Sequence, residues 1–200
     1  MSLRSALLAL LRIGPMSGYE LQKQFSQSVG HVWHAPDSQI YPELRKMATE
    51  ELIVAEEQTR GSAGMRRVYH VTEAGERAFT DWMNGPLKYQ RTRDAAHLRA
   101  AYLESADQAA VYAFLNEHIS HWKSELQVWE DEIATIEALE SPMLNRRLAV
   151  TADADREVTI AYKKFAYEGL AARARSEIEW AQRGLKLSKR LEHIAEETSH

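Results

Sequence analysis

Arg45 and Lys46 sit in the segment Ser38-Gln39-Ile40-Tyr41-Pro42-Glu43-Leu44-Arg45-Lys46-Met47-Ala48-Thr49, where Ile40, Leu44 and Met47 recur at helical spacing. With those three turned inward at ~100° per residue, Ser38, Pro42, Arg45 and Thr49 take the opposite face. Lys46 flanks that face, and Tyr41 stands beside Arg45. An arginine presented in this way has a planar fork that matches the two acceptors on the major-groove edge of guanine. Ser38, Gln39 and Thr49 can hydrogen-bond either bases or phosphates. A solvated polar face on an ordinary amphipathic helix would carry the same residues.

A second group of cations follows. Arg60, Arg66 and Arg67 border the small, polar stretch Gly61-Ser62-Ala63-Gly64. Basic tips of this kind grip phosphate or enter the minor groove. They also serve as charged edges that protect a hairpin from aggregation. Other constellations are weaker. His118 and His121, with Glu117 and Glu125, share near-ligand spacing, and His31 and His34 form another pair, but neither pair belongs to a recognised zinc motif. Tyr112, Phe114, Trp122 and Trp129 are aromatic residues on one long predicted helix, suited to stacking on a planar ligand or simply to filling an interface. There is no glycine-rich phosphate loop, nucleophile elbow or paired-carboxylate site. The chain is read as a non-enzyme that needs no cofactor and no metal.

These residues need elements to hold them. Leu3, Leu7 and Leu10 mark a first helix, which Gly14-Pro15 ends. Ser17 and Glu20 form a capping box for a second helix carrying Leu21, Phe25 and Val29, closed by Gly30. The third helix starts near Asp37 to Gln39, because Pro42 is tolerated only in or near a first turn. Leu52-Ile53-Val54-Ala55 and Arg67-Val68-Tyr69-His70-Val71 read as a two-stranded hairpin. Thr72 caps a fourth helix, whose apolar side is Phe79, Trp82 and Met83 before Gly85-Pro86 stops it. Three helices, a hairpin and a helix make the order of a winged helix-turn-helix, assigned to residues 1–86.

Residues 87–200 read as helix only. Val111, Leu115, Ile119, Trp122, Leu126, Trp129, Ile133 and Ile136 form a seam close to a 3.5-residue repeat, suited to a helix packed almost in line. Ser141-Pro142 breaks it. A last helix runs from about Asp155 towards Glu197 and includes Trp180, Leu187 and Leu191. A helix of that length exceeds what its own domain can cover, so this half is read as an α-helical dimerisation domain. The expected fold is mostly α with a small β-hairpin.

Composition sets bounds on these readings. Among the 200 residues 44% are hydrophobic, enough for a packed core. The absence of cysteine excludes disulfides, thiolate metal sites and thiol catalysis. The apolar run Ala6 to Leu11 is too short for a signal peptide, no run approaches a membrane span, and a cytoplasmic location is expected. Residues 1–86 carry 9 Lys+Arg against 10 Asp+Glu, so any nucleic-acid surface must be a local patch.

Ser17-Gly18-Tyr19-Glu20-Leu21, Ser38 to Leu44, and Arg66-Arg67-Val68-Tyr69-His70-Val71-Thr72-Glu73-Ala74-Gly75 together resemble the PadR family of bacterial transcriptional regulators. The C-terminal half, including Glu179-Trp180, looks like that family's longer two-helix arm. The resemblance implies a homodimer that binds an inverted repeat in double-stranded DNA, most often as a repressor. It implies that Tyr19 donates to a phosphate, with Lys23 one turn on, and that a small aromatic effector binds between protomers. Where the family usually has a glycine after the third helix, this chain has Glu51, so a less tight turn is expected. Two readings from other classes remain: a dimeric protein–protein adaptor that no longer binds DNA, and a ligand-binding protein.

Overall fold

The computed structural model describes residues 2–26, 36–59, 65–87, 89 and 93–198. The expectations at Val29, Gly30, His31, His34, Arg60 and the hairpin tip fall outside them. In chain order the elements are α1 (Ser2–Leu11), β1 (Met16–Ser17), α2 (Gly18–Gln24), α3 (Asp37–Thr49), β2 (Ile53–Thr59), β3 (Met65–Val71) and α4 (Glu73–Asn84). Then come α5 (Ala95–Ala100), α6 (Gln108–Glu137), α7 (Pro142–Ala149) and α8 (Arg156–Thr198), with short 3-10 turns at Leu103–Ser105 and Asp153–Asp155. The fold is mostly helical with one small antiparallel sheet.

The chain divides into two units. One comprises Met1–Lys88 with Pro142–Asp153, the other Tyr89–Ser141 with Ala154–His200. The first unit therefore reaches beyond residue 86 to include α7, whose Met143 joins the core of that unit.

In the first unit, Leu7, Leu8, Met16, Leu21, Ile40, Leu44, Met47 and Ile53 are at most 2% exposed. Each such side chain stabilises the fold by about 1.5–3 kcal/mol relative to solvent exposure. The sheet has the order β1-β3-β2. β2 and β3 pair from Ile53 opposite Val71 to Thr59 opposite Met65, and both strands extend further than their apolar residues indicate. Met16 and Ser17 add a third strand opposite Tyr69 and Val68. That strand is absent from the sequence reading, because two residues have no detectable period.

The end of α3 shows what replaces the glycine. Glu51 adopts a left-handed φ of 58°. Leu52 N–H donates to the Met47 carbonyl at 2.9 Å and Glu51 N–H to the Ala48 carbonyl at 3.1 Å, the two bonds of a Schellman turn. The turn is as tight as a glycine would make it, and the expectation of a looser one is corrected. Leu52 and Met47 pack into the same core, which supplies the apolar contact such a turn requires. Gly75 of α4 is fixed by the same corner, since a Cβ there would strike the Leu52 carbonyl oxygen.

α3 starts at Asp37, within the expected range, and Pro42 lies in its second turn. The carbonyl of Ser38, four residues earlier, loses its helical donor, and Ser38 is exposed so that water can replace it. In α4, Phe79 packs on the core while Trp82 is 42% and Met83 60% exposed, so only part of the predicted apolar side faces inward.

In the second unit α6 and α8 pack along each other in antiparallel fashion. Gln108 Nε2 donates to Ser188 Oγ at 2.8 Å near one end, and Lys164 Nζ meets Glu137 Oε1 at 2.5 Å near the other. Between them Leu115 fills the space beside Gly184, where an added Cβ would approach its Cδ2 to 3.0 Å. Ala171, Ala174 and Ala181 are fully buried and let the helices come close. The end of α6 repeats the Schellman pattern, with Leu139 at φ 56° and Glu140 N–H donating to the Thr135 carbonyl at 3.0 Å.

Candidate nucleic-acid interface

Three fully buried side chains, Ile40, Leu44 and Met47, anchor α3 and fix which of its faces meets solvent. Ser38, Gln39, Tyr41, Pro42, Arg45, Lys46 and Thr49 are all exposed. Thr49 is partly committed, because its Oγ1 donates to the Arg45 carbonyl at 3.1 Å. No ion pair holds Arg45 or Lys46 among the described residues. Two acids close to this face share one cation from behind. Arg4 on α1 donates through Nε to Glu43 at 2.8 Å and through Nη2 to Glu50 at 3.0 Å. The bond from Arg4 holds the Glu50 carboxyl below its usual range.

The front of α2 lies beside this face. Ser17 caps the helix by accepting from Glu20 N–H at 3.3 Å, and Glu20 Oε2 accepts from Ser17 N–H at 2.7 Å. Tyr19 is 70% exposed, and Lys23 one turn on is exposed as well. On β3, Arg66 Nη1 faces Glu20 Oε1 at 3.6 Å, and Arg67 Nη2 faces Glu57 Oε1 at 3.7 Å. Both pairs are long and solvated, and such pairs contribute about 0–1 kcal/mol. A phosphate can therefore replace either acid at little cost. Arg60 is outside the described residues.

α2, α3 and β3 enclose a hollow of about 420 Å³ lined by Ser17, Gly18, Tyr19, Glu20, Tyr41, Arg66, Arg67 and Tyr69. Gly18 makes room for the Tyr41 ring, since a Cβ at Gly18 would lie 2.6 Å from Tyr41 Cε1. Glu20 and Gly18 escape the sequence reading as site residues, although both stand in the Ser17-to-Leu21 motif. The hollow has no signature in sequence, because its walls come from segments about twenty residues or more apart.

Residues 7–81 match the family model of the "Transcriptional regulator PadR-like family". Over residues 7–81 the chain is similar to the PadR-like family. It is 27% identical over 143 residues to the negative transcriptional regulator PadR of Bacillus subtilis, covering 70% of this chain and 78% of that protein. The crystal structure of Bacillus subtilis PadR in complex with operator DNA matches with a TM-score of 0.76 at 22% identity, over 94% of this chain and 98% of that one. The same PadR in complex with p-coumaric acid matches with a TM-score of 0.69 at 23% identity, over 94% and 95%. The winged-helix fold with C-terminal helices is thus shared along nearly the whole chain.

Within this PadR-like chain the α6 seam is largely used by the protomer itself. Val111, Leu115, Trp129 and Ile136 are buried, and Ile119, Trp122, Leu126 and Ile133 are half-buried. Leu187 and Leu191 on α8 are 46% and 53% exposed. Trp180 is half-buried between two histidines, stacked on His97 at 4.3 Å and edge-on to His118 at 5.2 Å.

The four aromatic candidates do not converge on one cage. Tyr112 donates its hydroxyl to Glu192 Oε2 at 3.1 Å. Phe114 lies under the Arg99 guanidinium at 5.5 Å. Trp122 is 6.4 Å from Trp129 and has Arg173 over its face at 5.4 Å. His118 Nε2 meets Glu177 Oε2 at 3.2 Å, while His121 packs edge-on against Trp122 at 5.4 Å. Among the described residues no group of three His, Asp or Glu side chains is placed to hold a metal ion. No helix among them is long and apolar enough to cross a membrane.

Proposed function

We propose that this PadR-like regulator is a cytoplasmic homodimer that binds an inverted repeat in double-stranded DNA and represses transcription. The observation that carries this reading is the outer face of α3. Arg45 and Lys46 stand there exposed, with no salt bridge to either among the described residues, on a helix whose inner face is completely buried. Such a helix offers a bidentate guanine reader next to a phosphate contact. The operator complex and the repressor name of the Bacillus subtilis PadR support the same reading.

The outer face of α8 supports the dimer. At ~100° per residue, Val158, Tyr162, Phe165, Gly169, Ala172, Leu187, Leu191 and Ile194 fall on one side. The buried Tyr167, Ala171, Ala174, Ile178 and Ala181 fall on the other. Tyr162 and Phe165 are 71% and 69% exposed, an apolar stripe that a second protomer would cover. We place the dimer contact on this stripe, with Leu187 and Leu191, more than on the α6 seam. Two copies then present two α3 helices to half-sites about one helical turn, ~34 Å, apart or a multiple of it.

A small aromatic effector fits the arm at Phe114. Phe114 lines a hollow of about 530 Å³ with Leu98, Arg99 and Tyr102. The complex of Bacillus subtilis PadR with p-coumaric acid supports a ligand of this class.

Fluorescence-anisotropy titration tests the reading, using a duplex from the promoter upstream of the gene beside a scrambled duplex over a salt series. Preference for the promoter, with a log–log salt slope of roughly −5 to −9 for the dimer, is the expected result. No binding to either duplex at low salt, from a folded dimer, would remove it. That outcome would favour a protein–protein adaptor, the reading consistent with Arg66 and Arg67 facing Glu20 and Glu57.

A further inference from the structure

We infer that α5 is a detachable strap, held onto α6 and α8 by two π contacts, His97 on Trp180 and Arg99 over Phe114, and that its release uncovers the Phe114 ring. The inference concerns the free protein and depends neither on DNA binding nor on an effector.

α5 is the first element of the second unit and is only six residues long, Ala95–Ala100. Helices shorter than about 12–15 residues are marginal in water, because few hydrogen bonds follow a costly nucleus. α5 is capped, since Asp94 Oδ1 accepts from His97 N–H at 3.0 Å. None of its residues is buried, and Leu98 is 64% exposed. Side-chain contacts with α6 and α8 are what dock it.

His97 lies nearly flat on the Trp180 indole, with centroids 4.3 Å apart and planes 24° from parallel. Its Nδ1 meets Asp94 Oδ2 at 2.9 Å, so the capping residue also orients the ring. Trp180 is a firm platform, packed on Val111, Leu115 and Ala181. On its edge stands His118 at 5.2 Å, itself paired through Nε2 with Glu177 at 3.2 Å. Two residues after His97, the Arg99 guanidinium lies 5.5 Å from the centroid of Phe114. Leu103 packs on the same cluster as Trp180 and tethers the strap at its C-terminal end.

Arg99, Tyr102 and Phe114 line two hollows, of about 170 Å³ and about 530 Å³. α5 supplies Ala95, Ala96, Leu98 and Arg99 to the wall of the larger. Undocking removes that wall and lifts the guanidinium off the Phe114 ring. Stacked aromatic pairs and exposed cation–π pairs each shift an equilibrium by roughly 2- to 10-fold. Two such contacts keep the strap docked for most of the time and leave the undocked state within reach, as expected of a segment with no buried residue.

Hydrogen exchange on the full-length protein, corrected for the intrinsic rate of each sequence, tests the strap by sign. His97→Ala and Arg99→Ala both introduce the residue with the highest helix propensity. Were α5 held by its own helicity, both would slow exchange at residues 98–102. The strap requires the opposite: roughly 2- to 10-fold faster exchange there in each variant, with the α6 and α8 amides around Leu115 and Ala181 unchanged. Trp180→Leu should speed α5 exchange as His97→Ala does, and His97→Ala added to it should then be nearly silent, because both remove one stack. Unchanged or slower exchange of α5 in His97→Ala or in Arg99→Ala overturns the strap. So does full additivity of His97→Ala and Trp180→Leu, which would place the effect of His97 in its pair with Asp94 alone.

Discussion

Thr72 Oγ1 donates a 2.6 Å hydrogen bond to the carbonyl oxygen of Glu51. The same hydroxyl accepts from Gly75 N–H at 3.1 Å, so one side chain both closes the corner after α3 and caps α4. Thr72→Val keeps the shape and removes both bonds, and should lower stability by about 1–2 kcal/mol. Glu51→Gly should raise it by about 0.5–1 kcal/mol, because Glu51 holds the left-handed φ of 58° that glycine adopts without strain. Urea denaturation of the two variants measures both changes, and a stabilised Thr72→Val would contradict this account of the corner.

Arg45 and Lys46 are neighbours with different expected roles. Arg45→Ala should cost roughly 1–3 kcal/mol on a specific site and blur the preference for it over scrambled DNA. Lys46→Ala should weaken binding to both duplexes alike and lower the salt slope by about one. Both side chains are exposed, so the unfolding midpoint should stay within about 0.5 kcal/mol of wild type. Equal effects of the two substitutions on both duplexes would show that α3 does not read sequence.

Glu20 links stability to acid. Its carboxyl is held below the usual value of 4.5, first by the bond from Ser17 N–H, then by the Ser17 hydroxyl, with the charge of Arg66 adding to both. A folded-state value below the unfolded one means that the carboxylate stabilises the fold fully above the unfolded value. That contribution is lost as pH falls through the folded value. The stability difference between wild type and Glu20→Gln should therefore be largest near neutral pH and shrink as pH falls below the ordinary carboxylate range. Chemical denaturation at a series of pH values reads this directly, and a difference that grows on acidification would be the wrong sign.

The outer stripe of α8 offers a clean separation of folding from assembly. Phe165→Glu changes a side chain that is 69% exposed in one protomer, so the α6–α8 pair should remain helical. If a second copy covers this stripe, the dimer dissociation constant should rise at least about 30-fold, the effect of losing about 2 kcal/mol at a central contact. Sedimentation velocity across a dilution series measures it. A dimer as tight as wild type would move the contact elsewhere on the arm.

Local periodicity alone carried the order of α1 to α4 with the β2–β3 hairpin, and most of their inward faces. The spacings of Ile40, Leu44 and Met47, and of Leu3, Leu7 and Leu10, are local periodicities, and burial of an apolar stripe follows from them. The capping residues Ser17 and Thr72 were legible for the same reason, since a cap acts on the next turn of its own chain. Periodicity states that a face is covered but not by what. The α6 seam read as suited to a helix packed almost in line without saying which helix, and in the tertiary structure α8 of the same chain lies along it, leaving the stripe around Phe165 outward. β1 was invisible because its two residues become a strand only when β3 arrives beside them. Arg4 pairs with both Glu43 and Glu50 from about forty residues away, offsetting part of their charge, and Gly18 meets Tyr41 across a helix boundary. Such relations depend on distance in space, which a linear order of residues does not encode, so the charge and shape of the candidate interface were decided only when the chain folded.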